Sequence, residues 1–131
     1  MIIRILLALK KQIFLISLIY SIVLISISLI KIGDLPNYVP SFSDKVVHFL
    51  LYCMLTILWY YTFIYRFKKK KITAYLFAAI FSITLGIIIE VLQGEVTQNR
   101  AADLNDVFAN IFGIAFAEIL LILKNKLDIK K

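Results

Sequence analysis

The sequence predicts an all-α integral membrane protein, a bundle of four transmembrane helices with both termini cytoplasmic. Three observations predict it. Hydrophobic residues make up 62% of the 131-residue chain and charged residues only 18%, with a mean hydropathy of +0.92, far from the balance of a soluble domain. The apolar residues fall into four runs, each long enough to cross a hydrocarbon core of about 30 Å at about 1.5 Å per residue. Lys and Arg collect at alternate ends of those runs: 3 before the first, 5 between the second and third and 4 after the fourth, 12 of the 15 in all. The positive-inside rule then puts both termini and the middle connection in the cytoplasm and the other two connections outside.

The first span covers about residues 12–30, where Gln12 to Ile30 gives 19 residues without a formal charge behind Arg4, Lys10 and Lys11. A signal peptide cleaved after Ser26-Ile27-Ser28 is the rival reading, but the run exceeds the usual apolar core of about 7–15 residues. Lys31 to Lys45 reads as a loop, because Gly33, Pro36 and Pro40 oppose a continued helix. The second span, about 46–65, ends at Arg66 and the run Lys68 to Lys71. The third covers about 72–92 and the fourth about 104–123, before Lys124, Lys126, Lys130 and Lys131. At 131 residues there is room for one domain, read over 1–131, and no period of 20–50 residues recurs, so the chain is not a repeat array.

The net charge of +7 and pI near 9.6 fit topology signals and contacts with anionic membrane lipids. They do not point to nucleic acid, because no aromatic and basic reading platform accompanies them. The single cysteine, Cys53, excludes an intrachain disulfide.

Ionisable groups are costly next to hydrocarbon unless they have partners or a task, and here they converge on one face. In the predicted topology Asp44, Lys45 and His48 open span two on the outer side. Glu90 and Gln93 close span three there, Arg100 lies in the connection, and Asp103, Asp106 and Asn110 open span four. Asp44, His48 and Tyr52 are four apart, Glu90 and Gln93 three apart, and Asp106, Asn110 and Gly113 four and three apart, so each set shares a helix face. Small residues continue the stripes inward, Ser82 and Gly86 below Glu90, Gly113 and Ala117 below Asn110. Ser17, Ser21 and Ser28 form a weaker stripe on span one.

Structural roles compete with functional ones at each position. Asp103 and Asp106 have the places of a helix N-cap and an N3 acid, Lys45 that of an interfacial anchor, His48 that of a hydrogen-bonded structural residue, and Tyr52 that of packing. Glu118 reads as a snorkelling or lysine-paired acid. Glu90 resists the structural reading best, because a carboxylate in the last turn of a helix at an apolar boundary faces the negative end of the dipole and loses solvent. Arg100 and Lys45 are the cations within its reach, and Arg100 is the expected partner.

In order and spacing, Asp44-Lys45, His48, Tyr52, Glu90-x-x-Gln93, Arg100, Asp103, Asp106, Asn110 and Gly113 resemble the VanZ-like family of small bacterial integral membrane proteins. The resemblance runs from about residue 12 to 123 and departs at Ala117, where a second glycine is expected. It implies a multi-pass protein of the bacterial plasma membrane with a cell-envelope role on the outer face. The founding member is associated with reduced susceptibility to the lipoglycopeptide teicoplanin.

The expected function is therefore a polar outer-face pocket that binds an amphiphilic envelope molecule, such as a lipoglycopeptide or a lipid-linked glycan. The alternative is a membrane-embedded hydrolase or transferase in which Glu90 or His48 takes a proton, Arg100 stabilises an anion, and Asp106 and Asn110 orient the reactants. No motif identifies a nucleophile. One histidine without further imidazole or thiolate ligands argues against zinc, and no metal or cofactor is expected. A transporter is disfavoured because the charges stop near the outer interface, and it would require homo-oligomers.

Overall fold

The computed structural model describes residues 1–29, 41–96 and 104–130 and places four helices in them: α1 (Ile2–Leu29), α2 (Ser41–Tyr65), α3 (Lys71–Val96) and α4 (Leu104–Ile129). All four are long and apolar enough to cross a membrane. The all-helical architecture is therefore as the four apolar runs predict. The helices overrun the apolar runs, however. α1 begins ten residues before Gln12, α2 begins at Ser41, α3 continues to Val96 and α4 to Ile129. Hydropathy marks only the part of a helix that hydrocarbon would cover, while Lys, Glu, Gln and Leu are good helix formers that carry the backbone past it. One consequence falls on the expected loop Lys31 to Lys45. Its last five residues belong to α2, which puts Asp44 in the first turn of that helix, where the dipole favours an acid.

α2 packs against each of the other three helices, and α3 does the same, whereas α1 and α4 do not touch among the described residues. The bundle is thus a rhombus with α2 and α3 on its short diagonal. Its core is built from Leu24 of α1, Tyr52, Leu55, Trp59 and Tyr60 of α2, Ala74, Ala78 and Ile89 of α3, and Ile114, Ala117 and Leu121 of α4. Small residues set the spacing. Ala74, Ala78 and Ser82 of α3 are all 0% exposed, and on α4 a Cβ added to Gly113 would lie 2.2 Å from the Phe49 carbonyl oxygen. Ala117 is also 0% exposed, so alanine in place of the expected glycine still packs inside the bundle. Large apolar side chains of all four helices point outward, Leu15 and Ile19 of α1, Leu50 and Met54 of α2, Leu76 of α3 and Phe112 of α4 among them, the inverse of a soluble bundle and the surface that lipid tails would cover.

The serine stripe of α1 ties that helix to α2. Ser17 Oγ shares a 2.7 Å hydrogen bond with Thr62 Oγ1, and the Trp59 indole N–H donates to Ser21 Oγ at 3.0 Å. Thr56 donates to Ser82 Oγ at 3.1 Å, joining α2 to α3. Between apolar helices such bonds supply association that the hydrophobic effect cannot. Of the two roles expected for Glu118, the lysine pair is not formed among the described residues, and its Oε1 is buried without a hydrogen-bond partner.

Candidate functional site

The up-down connectivity brings the C-terminus of α1, the start of α2, the end of α3 and the start of α4 to one end of the bundle, and the polar residues concentrate there. Asp44, Lys45 and His48 come from the first two turns of α2. Asp106 lies in the first turn of α4 and Asn110 one turn further along. Facing each other, these two sets form one network. The Lys45 ammonium donates to Asp106 Oδ1 and lies 3.8 Å from Asp44 Oδ2. His48 Nε2 is 3.7 Å from a carboxylate oxygen of Asp44 and 3.7 Å from one of Asp106. On its other side, His48 Nδ1–H donates to Asn110 Oδ1 at 3.1 Å. That bond orients the ring, so Nε2 faces the two carboxylates.

Burial grades across the network. Side-chain exposure is 34% for Asp44, 27% for Lys45, 14% for His48 and 7% for Asp106, so Asp44 and Lys45 form a mouth and Asp106 lies beneath it. Lys45 is thus the partner of a buried acid as well as a residue near the helix end. Asp106 combines the expected first-turn position with an ion pair to Lys45.

Below the network, Tyr52 and Asn110 meet α3 at Gly86, where an added Cβ would lie 3.0 Å from Tyr52 Cε1 and 3.3 Å from Asn110 Nδ2. A side chain at this position would press on the ends of Tyr52 and Asn110, which would have to give by a few tenths of an ångström. Glu90, one turn beyond Gly86 on the same face, is buried at 3% exposure. Gln93 is buried too, but it turns toward α1, donating from Nε2 to the Ser28 carbonyl at 2.7 Å. The structure thus joins Asp44, Lys45, His48, Asp106 and Asn110 directly, brings Tyr52 against Asn110's helix across Gly86, and sets Gln93 on the α1 side. Arg100 and Asp103 lie outside the described residues, and with them the expected Glu90–Arg100 pair.

Two contributions escaped the sequence reading, that of the Ser28 carbonyl and that of Phe49. Ser28 acts through its carbonyl, which leaves no signature in a sequence. Phe49 offers its backbone to Gly113 and its ring to Phe116, with centroids 5.4 Å apart, and thereby sets how closely α2 and α4 approach. A stripe of glycine opposite a bulky residue is the signal that could have found it.

Chemically the network offers carboxylates, an ammonium, an oriented imidazole and an amide. One ligand atom each from Asp44, His48 and Asp106 lies within 4.8 Å of the others, close enough to share a metal ion. The Lys45 ammonium already neutralises Asp106, so a metal ion would have to displace it.

No family model matches the chain, and no solved structure matches it. It is similar to an uncharacterized protein of Schizosaccharomyces pombe, 31% identical over 100 residues that cover 76% of this chain and 59% of the relative. The chain therefore spans about three-fifths of the length of the protein it matches.

Proposed function

We propose that the chain is a VanZ-like, multi-pass protein of the bacterial plasma membrane, with both termini cytoplasmic, whose outer-face polar cluster binds an amphiphilic envelope molecule. A lipid-linked glycan or a lipoglycopeptide of the teicoplanin type has the required two ends, one polar and one acyl. A contribution to glycopeptide resistance follows if the ligand is the antibiotic or the precursor that it targets. The observation that carries the reading is the network Lys45–Asp106 and His48–Asn110 at the end of four apolar helices. Its mouth is partly exposed while its floor is buried, and its hydrogen-bonding groups are held in place by neighbours on two helices. Such a set is pre-organised for hydroxyl and amide groups, which lowers the ordering cost of binding. Apolar helix surface beside the mouth suits an acyl chain. The cytoplasmic placement of the termini rests on the partition of basic residues, and the bacterial placement on the resemblance, since the matched relative is fungal.

The orientation of His48 supports a second reading, acid-base catalysis at the same cluster. Its Nε2 faces two carboxylates while Nδ1 is anchored, an arrangement that suits proton transfer to a bound substrate. Purified protein in detergent, titrated with a lipid-linked disaccharide pentapeptide and with teicoplanin, tests both readings. Saturable binding with unchanged ligand supports a binding protein, and chemical conversion of the ligand supports the enzyme. An absence of both binding and conversion would defeat both readings.

A further inference from the structure

The opposite end of the bundle holds a second cluster, built entirely from cations. A groove of about 430 Å³ is lined by Leu7, Lys10 and Lys11 of α1, Tyr65 at the end of α2, and Arg66 and Lys68 of the turn that follows. That volume is within the range of ligand sites, roughly 300–1,000 Å³. Its lining contains four formal positive charges and no acid. Among the described residues none of the four makes an ion pair with a carboxylate; the ion pairs lie at Lys45, His48 and Lys124.

We propose that this groove binds the phosphate-bearing headgroup of an anionic phospholipid. Four like charges drawn from two separate elements repel one another, and a phosphate between them relieves the repulsion while accepting charge-assisted hydrogen bonds. The positions are built. Lys10 lies over the Tyr65 ring at 4.7 Å, and Tyr65 stacks on Tyr61 at 5.7 Å with the planes 6° apart. The turn is closed by Phe67 N–H donating to the Thr62 carbonyl at 3.2 Å and Lys69 N–H to the Phe63 carbonyl at 2.9 Å.

Within that turn Lys68 adopts φ 54°, the left-handed region in which glycine avoids a Cβ penalty. A topology signal needs only a basic residue near the helix end. It needs neither convergence with α1 nor a lysine in strained backbone. A lipid fits better than a free anion because the groove lies at the level where the apolar span of α1 begins, and Leu15, Ile19 and Ile22 continue along α1 toward the middle of the bundle as exposed apolar surface. These are the two halves of an amphiphile's environment.

The test is thermal unfolding of the full-length chain in a neutral detergent, with phosphatidylglycerol, phosphatidylcholine or inorganic phosphate added. Phosphatidylglycerol should raise the midpoint in a saturable way, phosphatidylcholine and inorganic phosphate much less. The variant Lys10→Gln, Lys11→Gln, Arg66→Gln, Lys68→Asn should lose at least tenfold in apparent affinity for phosphatidylglycerol. Asparagine keeps the tolerance for left-handed backbone. A control removing as many charges outside the groove, Lys69→Gln, Lys70→Gln, Lys126→Gln, Lys130→Gln, should retain the preference.

Equal loss in both variants would mean non-specific attraction and overturn the site. Equal protection by inorganic phosphate would overturn the lipid assignment, and no discrimination by the unmodified chain would overturn both. Should the fourfold variant fail to fold, Lys10→Gln with Lys68→Asn replaces it, with a severalfold loss expected and an unchanged affinity counting against the proposal. The groove lies at the far end from the Asp106 network, so this result is independent of the envelope-ligand reading.

Discussion

Gly113 of α4 sits directly against the backbone of Phe49 in α2: a Cβ at this position would lie 2.2 Å from the Phe49 carbonyl oxygen and 3.1 Å from its Cα. The obstacle is main chain, which cannot rotate away as a side chain could. Gly113 is one helical turn from Asn110, whose partner His48 precedes Phe49, so the same approach that requires glycine also closes the His48–Asn110 hydrogen bond. Packing and site geometry are coupled here.

The expected outcome for Gly113→Ala is a loss of about 1–3 kcal/mol, the usual cost of overpacking, read as a lowered unfolding midpoint in detergent. It should also weaken ligand binding in the protein that remains folded, because α2 and α4 must separate. Ala117→Gly removes a methyl without forcing the helices apart, so it should cost about 1 kcal/mol or less and leave binding intact. Equal behaviour of the two variants would show that the close approach does not control the site.

Lys45 and Asp106 form the second coupled pair. Lys45→Gln takes the ammonium from the buried carboxylate, and Asp106→Asn takes from Lys45 its buried anion while Asp44 stays 3.8 Å away, so each single change should destabilise. The double variant should be milder than the sum, with a coupling of about 0.5–3 kcal/mol from a double-mutant cycle. The lower half of that range is expected, since Lys45 keeps 27% side-chain exposure and solvent screens the pair. Additive effects within error would remove the pair from the account of the site.

How much of this was legible beforehand differs between element and contact. The helices follow from four apolar runs, because an unbroken run of that length has few alternatives to a helix. The faces of α2 and α4 follow from Asp44, His48 and Tyr52, and from Asp106 and Asn110, because a four-residue spacing fixes a shared face whatever the tertiary structure. Partners were not legible. That Lys45 reaches Asp106 depends on the distance between α2 and α4, which Gly113 and Phe49 set, and that Gln93 turns to Ser28 depends on a backbone carbonyl. The basic groove was hidden for another reason: Lys10, Lys11, Arg66 and Lys68 explain the expected topology so well that their convergence leaves no further trace in the sequence.

Topology is open to direct measurement. With Cys53 replaced by Ser, single cysteines at Lys69 or Lys126 should resist a membrane-impermeant maleimide added to intact cells. A cysteine at Asp44 should react with it. The motivation is the 12 to 3 partition of Lys and Arg. Labelling at Lys69 but not at Asp44 would invert the protein, moving the Asp106 network to the cytoplasm and ending the envelope-ligand proposal.

The final prediction separates a working site from a packing device. If Asp106, Asn110 and His48 serve only the bundle, then Asn110→Ala and His48→Gln should lower stability in proportion to hydrogen bonds lost, about 0.6 kcal/mol each between membrane helices. Ligand binding would then fall only as folded protein is lost. A binding site behaves differently, because the His48 ring and the Asn110 amide fix each other's orientation at 3.1 Å, and a change in either misplaces groups that stay folded. Expected, therefore, are variants with near-normal membrane abundance and unfolding midpoint but at least tenfold weaker binding of a lipid-linked glycan or lipoglycopeptide. Thr56→Ala supplies the comparison: it removes a buried hydrogen bond to Ser82 at 3.1 Å, outside the network, and should cost stability while sparing affinity per folded molecule. If His48→Gln and Asn110→Ala track Thr56→Ala in both measurements, the cluster only holds helices together and the functional reading fails.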